Sequence, residues 1–266
     1  MSAMGRNHRV IEIKPRSAAV LALASVLGVL AFGWPFLADA SSAAGEHTRD
    51  APYLFVVLVA LAVAVVAAQL ADGGLDVKAV AILGVLAAVG AGLQALSPAV
   101  GGFDAVFFLV VLAGRVYGPG FGFSLGVVSL LAGALIVGGI GPWVPFQMIG
   151  LGWVGLFAGC LPRLSGWAER AMLAAYACVT GLVYGALLNL WFWPVADFLP
   201  RGMSFVPEAS PFANLGHYAT FYVTTSLGWD AGRAILNLLL VLVAGRPLLA
   251  ALRRAARRAH FVPAYQ

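Results

Sequence analysis

Charge is what this sequence has least of. Only 10% of its 266 residues are Asp, Glu, Lys or Arg, and only two are cysteine. An ordinary water-soluble domain carries about 25% charged residues, so a soluble fold is excluded first. Cys160 and Cys178 both fall inside apolar runs. They exclude a disulfide framework and read as small buried hydrophobes. No G-x-x-x-x-G-K-S/T phosphate loop occurs, so the chain does not itself hydrolyse ATP in the usual way. The stretch Gly118–Ser124 has the glycines of such a loop but no lysine. H-E-x-x-H and G-x-S-x-G are missing too, which removes the common metalloprotease and serine-hydrolase signatures. No apolar run carries an arginine ladder and no filter-like loop appears, which argues against a channel.

What fills the space is apolar sequence. Hydrophobic residues make up 62% of the chain and its mean hydropathy is +0.94. Several runs reach the ~20 residues that cross a bilayer. The expected fold class is all-α, a polytopic membrane helical bundle. Gly102–Pro162 is especially rich in glycine and holds only two charges, Asp104 and Arg115. Small residues of this kind let helices approach closely in lipid.

The sequence predicts eight spans: 17–37, 52–71, 79–96, 103–114, 121–137, 146–161, 171–193, and a last one that begins between 215 and 226 and ends at Ala244. A basic start followed by an apolar run also describes a signal peptide. The run 17–37 is long for that role, and Ala38-Asp39-Ala40 is a weak cleavage site, so a retained first helix is expected. The stretch 39–50 suits an exposed loop, 97–102 a tight connection, and 194–214 a longer one with four prolines. The tail after Arg246 is a basic, helix-forming segment.

The positions of the basic residues test this segmentation. With a cytoplasmic N-terminus, the inside segments hold Arg6, Arg9, Lys14, Arg16, Lys78, Arg115, Arg163, Arg170, Arg246 and the four arginines of the tail. The outside segments hold only Arg49 and Arg201, while Arg233 is in a span. That is the asymmetry of the positive-inside rule, and it places both termini in the cytoplasm. It also accounts for the net charge of +5 without nucleic acid.

Depth follows from the ~1.5 Å rise per helical residue. Counted from the inner ends of their spans, Asp230 lies about 24 Å up, Arg233 about 20 Å, Gln147 about 24 Å and Asn189 about 28 Å. Asp104 lies about 16 Å above Arg115. Polar groups of several helices therefore reach the outer half of the bundle together.

The sharpest local pattern is Trp229–Asn237, in which Asp230 and Arg233 share one helix face and Asn237 continues it. Ionisable residues at membrane depth face a cavity or a partner. The pair fits a ligand site, with Arg233 on an anionic or carbonyl group and Asp230 orienting it. It fits a salt bridge holding the last helix in register equally well. Gln147 and Asn189 are candidate ligand contacts or interhelical amides. Trp143, Trp191 and Trp193 fit an interfacial belt, or stacking surfaces for a flat ligand. His217, Tyr218 and Tyr222 are placed to close the same pocket, and His217 has no second His or Cys nearby for a metal site. In the third span Gly84, Ala88 and Gly92 form one small-residue stripe and Ala87, Ala91 and Ala95 the next.

From Ala79 onward the chain resembles the substrate-binding S components of energy-coupling factor (ECF) transporters. The resemblance is carried by FDAVFFLVVLAGRVYGPGFGFSLGVVSLLAGALIVGG, the Pro/Gly break after it, an apolar helix and the stop GLFAGCLPRL. Asp104 and Gly118-Pro119 hold the places of that family's acidic opening and Gly-Pro turn. It implies a six-helix core over residues 78–246, with residues 1–77 adding two N-terminal transmembrane helices and 247–266 a basic tail. It also implies capture of a vitamin or related micronutrient from outside, under loops at 96–102, 138–145 and 194–214. The expected substrate-binding set is Trp143, Gln147, Asn189, Trp193, Tyr222, Asp230, Arg233 and Asn237. The resemblance further implies a membrane T component, docked on Ala87, Ala91 and Ala95, and two cytoplasmic ATPases that drive toppling and inward release. No catalytic residue, cofactor or metal is expected. The polar residues and tryptophans suit a polar ring compound such as a cobalamin or a thiamine precursor. Two other readings use the same carboxylates: a membrane enzyme on a lipid-linked substrate, with Asp104 and Asp230 as an acid/base pair, and a proton-coupled carrier with Asp230 as proton site. The carrier class tends to show internal repeats, and none is found here.

Overall fold

The computed structural model describes residues 13–37, 43–72, 75, 77–97, 104–196, 198–207 and 209–260. Arg6, Arg9, the 38–40 cleavage-like site and most of the 97–102 connection lie outside them. The described residues form helices α1 (Pro15–Leu37), α2 (Ala43–Ala71), α3 (Val77–Leu96), α4 (Val106–Tyr117), α5 (Pro119–Val137), α6 (Val144–Cys160), α7 (Gly166–Phe192), α8 (Pro211–Phe221) and α9 (Leu227–His260). A π-helical turn, Tyr222–Ser226, joins α8 to α9, so the two form one rod and the described residues make eight rods.

The expected spans appear with shifted ends. The stretch 39–50 was expected as a loop, but α2 already begins at Ala43. The last helix starts at Pro211, capped by Ser210, whose Oγ accepts the Ala213 N–H. It runs on to His260, well past Ala244, with Pro247 inside it. Of that rod, 49 residues belong to a single apolar candidate span, about 74 Å long and far beyond a ~30 Å hydrocarbon core.

Helices α1, α3, α5, α7 and the α8–α9 rod are long and apolar enough to cross a membrane. The apolar part of α2 (Val56–Ala71), α4 and α6 are shorter. The 12-residue α4 is about 18 Å long and cannot cross the core alone. It does not need to. Nine of its residues are buried, and interrupted backbone is tolerated at membrane depth where protein surrounds it. Large apolar side chains on the outer faces, such as Val29, Val56, Val85 and Val243, remain exposed, as a lipid-facing surface requires.

The glycine-rich stretch builds the tightest contact. Gly118 has φ 106°, a conformation open to glycine, and turns the chain from α4 into Pro119 at the start of α5. Along the α5–α6 seam, a Cβ on Gly155 would stand 2.1 Å from the Gly122 carbonyl oxygen. A Cβ on Gly122 would meet the Gly155 oxygen at 2.2 Å. Only glycine on both helices allows this approach.

Helix α2 docks on the core chiefly through α6, and α1 packs on both α7 and α6. Phe32 meets Phe146 edge-on at 5.2 Å, and Trp153 Nε1 donates to Ser25 Oγ at 3.0 Å. At the start of α1, the Ser17 hydroxyl and N–H both donate to Asp72 Oδ2, at 2.6 and 2.9 Å. The hydroxyl bond is the main reason the Asp72 carboxyl is held below its ordinary value, against an opposing desolvation.

Two groups of small side chains differ in exposure from what their sequence positions suggest. Cys160 is exposed and Cys178 half-buried, so neither is a fully buried small hydrophobe. Ala87 and Ala91, expected as a partner face, are 3% and 0% exposed, inside a bundle where α3 packs on α5. The outward stripe is the neighbouring one, with Gly84, Ala88 and Gly92 exposed and Ala95 half-buried. The helix has one small-residue face for its own bundle and one for lipid or a partner.

Candidate functional site

Ionisable side chains in the apolar bundle gather where α4, α7 and α9 meet. Arg233 Nη2 donates to Asp230 Oδ1, closing the i, i+3 pair. The same guanidinium donates to the Gly181 carbonyl, at 3.0 Å from Nη2 and 3.3 Å from Nε. It lies 5.2 Å from the ring centre of Tyr184 and 5.5 Å from that of Phe107, within cation–π range. These two rings pack edge-on at 4.8 Å and form its floor. The Arg233 side chain keeps 15% exposure, that of Asp230 only 7%.

Asp230 fits because α7 has a glycine opposite it. A Cβ on Gly185 would fall 1.8 Å from Asp230 Oδ2. That oxygen is buried and has no hydrogen-bond partner among the described residues. Tyr222 also stands within side-chain hydrogen-bond reach of the Asp230 carboxylate, while its hydroxyl donates to Leu182 O at 3.2 Å. One turn further out, Tyr218 donates to Ala186 O. The α8–α9 rod thus lays Arg233, Tyr222 and Tyr218 on carbonyls along α7.

Asn237 is fully committed. Its Oδ1 accepts the Phe108 N–H at 2.8 Å, and its Nδ2 donates to Asp104 O at 2.8 Å and to Arg233 O at 2.9 Å. Asp104 Oδ1 accepts the Val106 N–H at 2.9 Å. Together the two side chains satisfy N–H groups that the first turn of α4 leaves without helical partners. Asn237, expected at a ligand, is a cap for a buried helix.

The other expected site residues are dispersed. Asn189 Nδ2 donates to Gly185 O at 3.0 Å on its own helix. Gln147 is half-buried in the first turn of α6, with no side-chain hydrogen bond among the described residues. Trp143 is 40% exposed, and its Nε1 donates back to Gly139 O. Trp193 has no exposed surface; its Nε1 donates to Met203 O at 2.6 Å and its ring packs on Phe205 and Tyr218. It anchors the connection between α7 and α8. His217 Nδ1 pairs with Ser204 O at 3.0 Å in the same connection.

Sequence reasoning missed Gly181, Tyr184, Gly185 and Phe107. A signal was present: Gly181 and Gly185 are four apart in α7, a small-residue spacing that marks close helix approach.

These features define a membrane-embedded helical bundle with a buried ion pair, Asp230–Arg233, between its helices. Residues 78–245 match the family model "ECF transporter, substrate-specific component". The chain belongs to that family, whose members are non-catalytic substrate-binding subunits of transporters. Membership displaces the membrane-enzyme and proton-carrier readings. No curated protein and no solved structure matched the chain.

Proposed function

We propose that this subunit captures a vitamin or related micronutrient from the outer side of the membrane, binding it at the α4–α7–α9 junction. Its termini face the cytoplasm, in accord with the distribution of lysine and arginine. The carrying observation is the Asp230–Arg233 pair: a buried carboxylate oxygen without a hydrogen-bond partner beside a guanidinium that keeps some exposure over two aromatic rings. A polar ring ligand accepts the Arg233 hydrogens now given to Gly181 O and donates to Asp230 Oδ2. Phe107 and Tyr184, both buried, hold the Arg233 guanidinium in place from below. Tyr222 closes the junction, and Asn237 positions Arg233 from below through its bond to the Arg233 carbonyl. Trp193 acts only by holding the α7–α8 connection.

Release follows toppling driven by a membrane T component and two cytoplasmic ATPases. Gly84, Ala88 and Gly92 are the α3 face open to that T component, with Ala95 at its edge.

Mass spectrometry of small molecules co-purifying with the solubilised protein identifies the ligand. Binding of that ligand without ATP, weakened by Arg233→Ala and retained in a control at the lipid-facing surface, Val243→Ala, is the expected result. Equal affinity in wild type and Arg233→Ala removes the junction as the site.

A further inference from the structure

The tail of α9 builds a second charged feature far from the Asp230 junction. Arg246, Arg253, Arg254 and Arg257 recur at helical spacing and, with Arg170 and Glu169 of α7, line a groove of about 480 Å³. From Arg246 to Arg257 the groove follows about 16 Å of helix. The opposite face of this segment is tied down. Leu252 and Ala256 are buried, Leu252 O accepts from Tyr117 Oη at 3.2 Å, and Ala259 O accepts from Lys78 Nζ at 3.3 Å. The arginines are therefore held on a fixed helix.

The groove has an excess of positive charge. Its one carboxylate, Glu169, is already used: Arg115 donates to it at 2.8 Å, and Arg253 donates to both its oxygens at 2.7 Å. Arg246, Arg254 and Arg257 make no hydrogen bond or ion pair among the described residues. Gly166, the first residue of α7, lines the same groove, and Ser165 provides no side-chain cap, so the positive end of the helix dipole adds to the field. Beside it stand exposed apolar groups: Trp167, 62% exposed with the Arg170 guanidinium 4.9 Å from its ring centre, and Leu164. Arginines next to an exposed Trp and Leu at the end of a transmembrane helix match a lipid headgroup lying above its acyl chains.

We propose that this groove is a binding site for the phosphodiester headgroup of an anionic phospholipid. Arg246, Arg254 and Arg257 take the phosphate oxygens, and Trp167 and Leu164 meet the glycerol and upper acyl region. The lipid fastens the α9 tail to the first turn of α7. The proposal does not depend on which molecule the Asp230 junction takes, or on whether it takes one.

The test uses the full-length protein, incubated in detergent with equal amounts of phosphatidylglycerol and phosphatidylcholine. After column washing, the retained lipid is quantified by mass spectrometry. Wild type is expected to retain phosphatidylglycerol about tenfold over phosphatidylcholine, because each arginine near a headgroup adds substantially to anionic attraction. The triple variant Arg246→Ala/Arg254→Ala/Arg257→Ala is expected to lose that preference with an unchanged melting temperature. On the unaltered protein, washing at high salt is expected to reduce it as well. Equal retention of the two lipids, or a preference that persists in the triple variant, overturns the proposal. So does displacement of the lipid by millimolar inorganic phosphate, which would assign the groove to a soluble anion.

Discussion

Asn237 Oδ1 accepts the N–H of Phe108 at 2.8 Å, across 129 positions of sequence. One amide on the last helix thus completes the start of α4, a helix too short to cross the membrane and buried on most of its surface. Replacing it with leucine keeps the volume and strands a buried donor. Asn237→Leu is expected to cost about 1–3 kcal/mol, read as a lowered melting temperature in detergent. An unchanged midpoint would mean that α4 finds another cap.

The α5–α6 seam leaves no room for a methyl group. Gly155→Ala places a Cβ against the Gly122 backbone, which cannot swing away as a side chain can. The expected result is loss of monodisperse protein, or a destabilisation of at least about 1–3 kcal/mol. Gly84→Ala is the control, since nothing lies within 4 Å of a Cβ there, and it is expected to fold normally.

Glu169 holds Arg115 and Arg253 together at the foot of the bundle. Its own side chain is 3% exposed, that of Arg115 9%, and that of Arg253 45%. Glu169→Gln leaves the buried Arg115 unpaired, a change that costs about 3–5 kcal/mol for buried pairs. Arg253→Ala removes the exposed partner and leaves the Arg115 pair in place. Thermal melts are expected to rank Glu169→Gln well below Arg253→Ala. The reverse order would place the important contact on the tail.

Asp72 anchors the first turn of α1, and its carboxyl is held below its ordinary value of 3.8 by the Ser17 hydroxyl. A carboxylate with a depressed folded-state pKa stabilises the fold above its unfolded value and stops doing so as pH falls through the folded value. Protection of the Ser17 amide against hydrogen exchange is therefore expected to hold at neutral pH and to fall below about pH 3.8. Asp72→Asn is expected to lose the pH dependence. Wild-type protection that matches that of Asp72→Asn at neutral pH and throughout the acid range would show that the bond does not hold α1.

Docking to a T component is tested on α3. Ala88→Leu enlarges the exposed stripe between Gly84 and Gly92 and is expected to abolish co-purification with the T component while leaving ligand binding intact. Loss of both would point to a folding defect, and retention of both would move the interface elsewhere.

Hydropathy, charge placement and the Gly-Pro turns determined the class of this protein from sequence alone. The bilayer makes long apolar runs obligatory, and the signs of the flanking charges follow from membrane insertion, so both are legible in a linear string. The meeting of Asp230 with Arg233 was legible too, because i, i+3 spacing on a helix is local. Tertiary structure alone decided what those residues touch. Asn237 became a cap because α4 happens to start beside it, and Trp193 became an anchor because the connection after it folds back onto α8. On α3, two adjacent small-residue stripes look alike in sequence, and only the position of α5 sorted Ala87 and Ala91 inward and Gly84, Ala88 and Gly92 outward. The glycine-rich stretch between Gly102 and Pro162 announced close packing, but which backbone each glycine meets depends on the angles between helices, and a periodic pattern does not carry those.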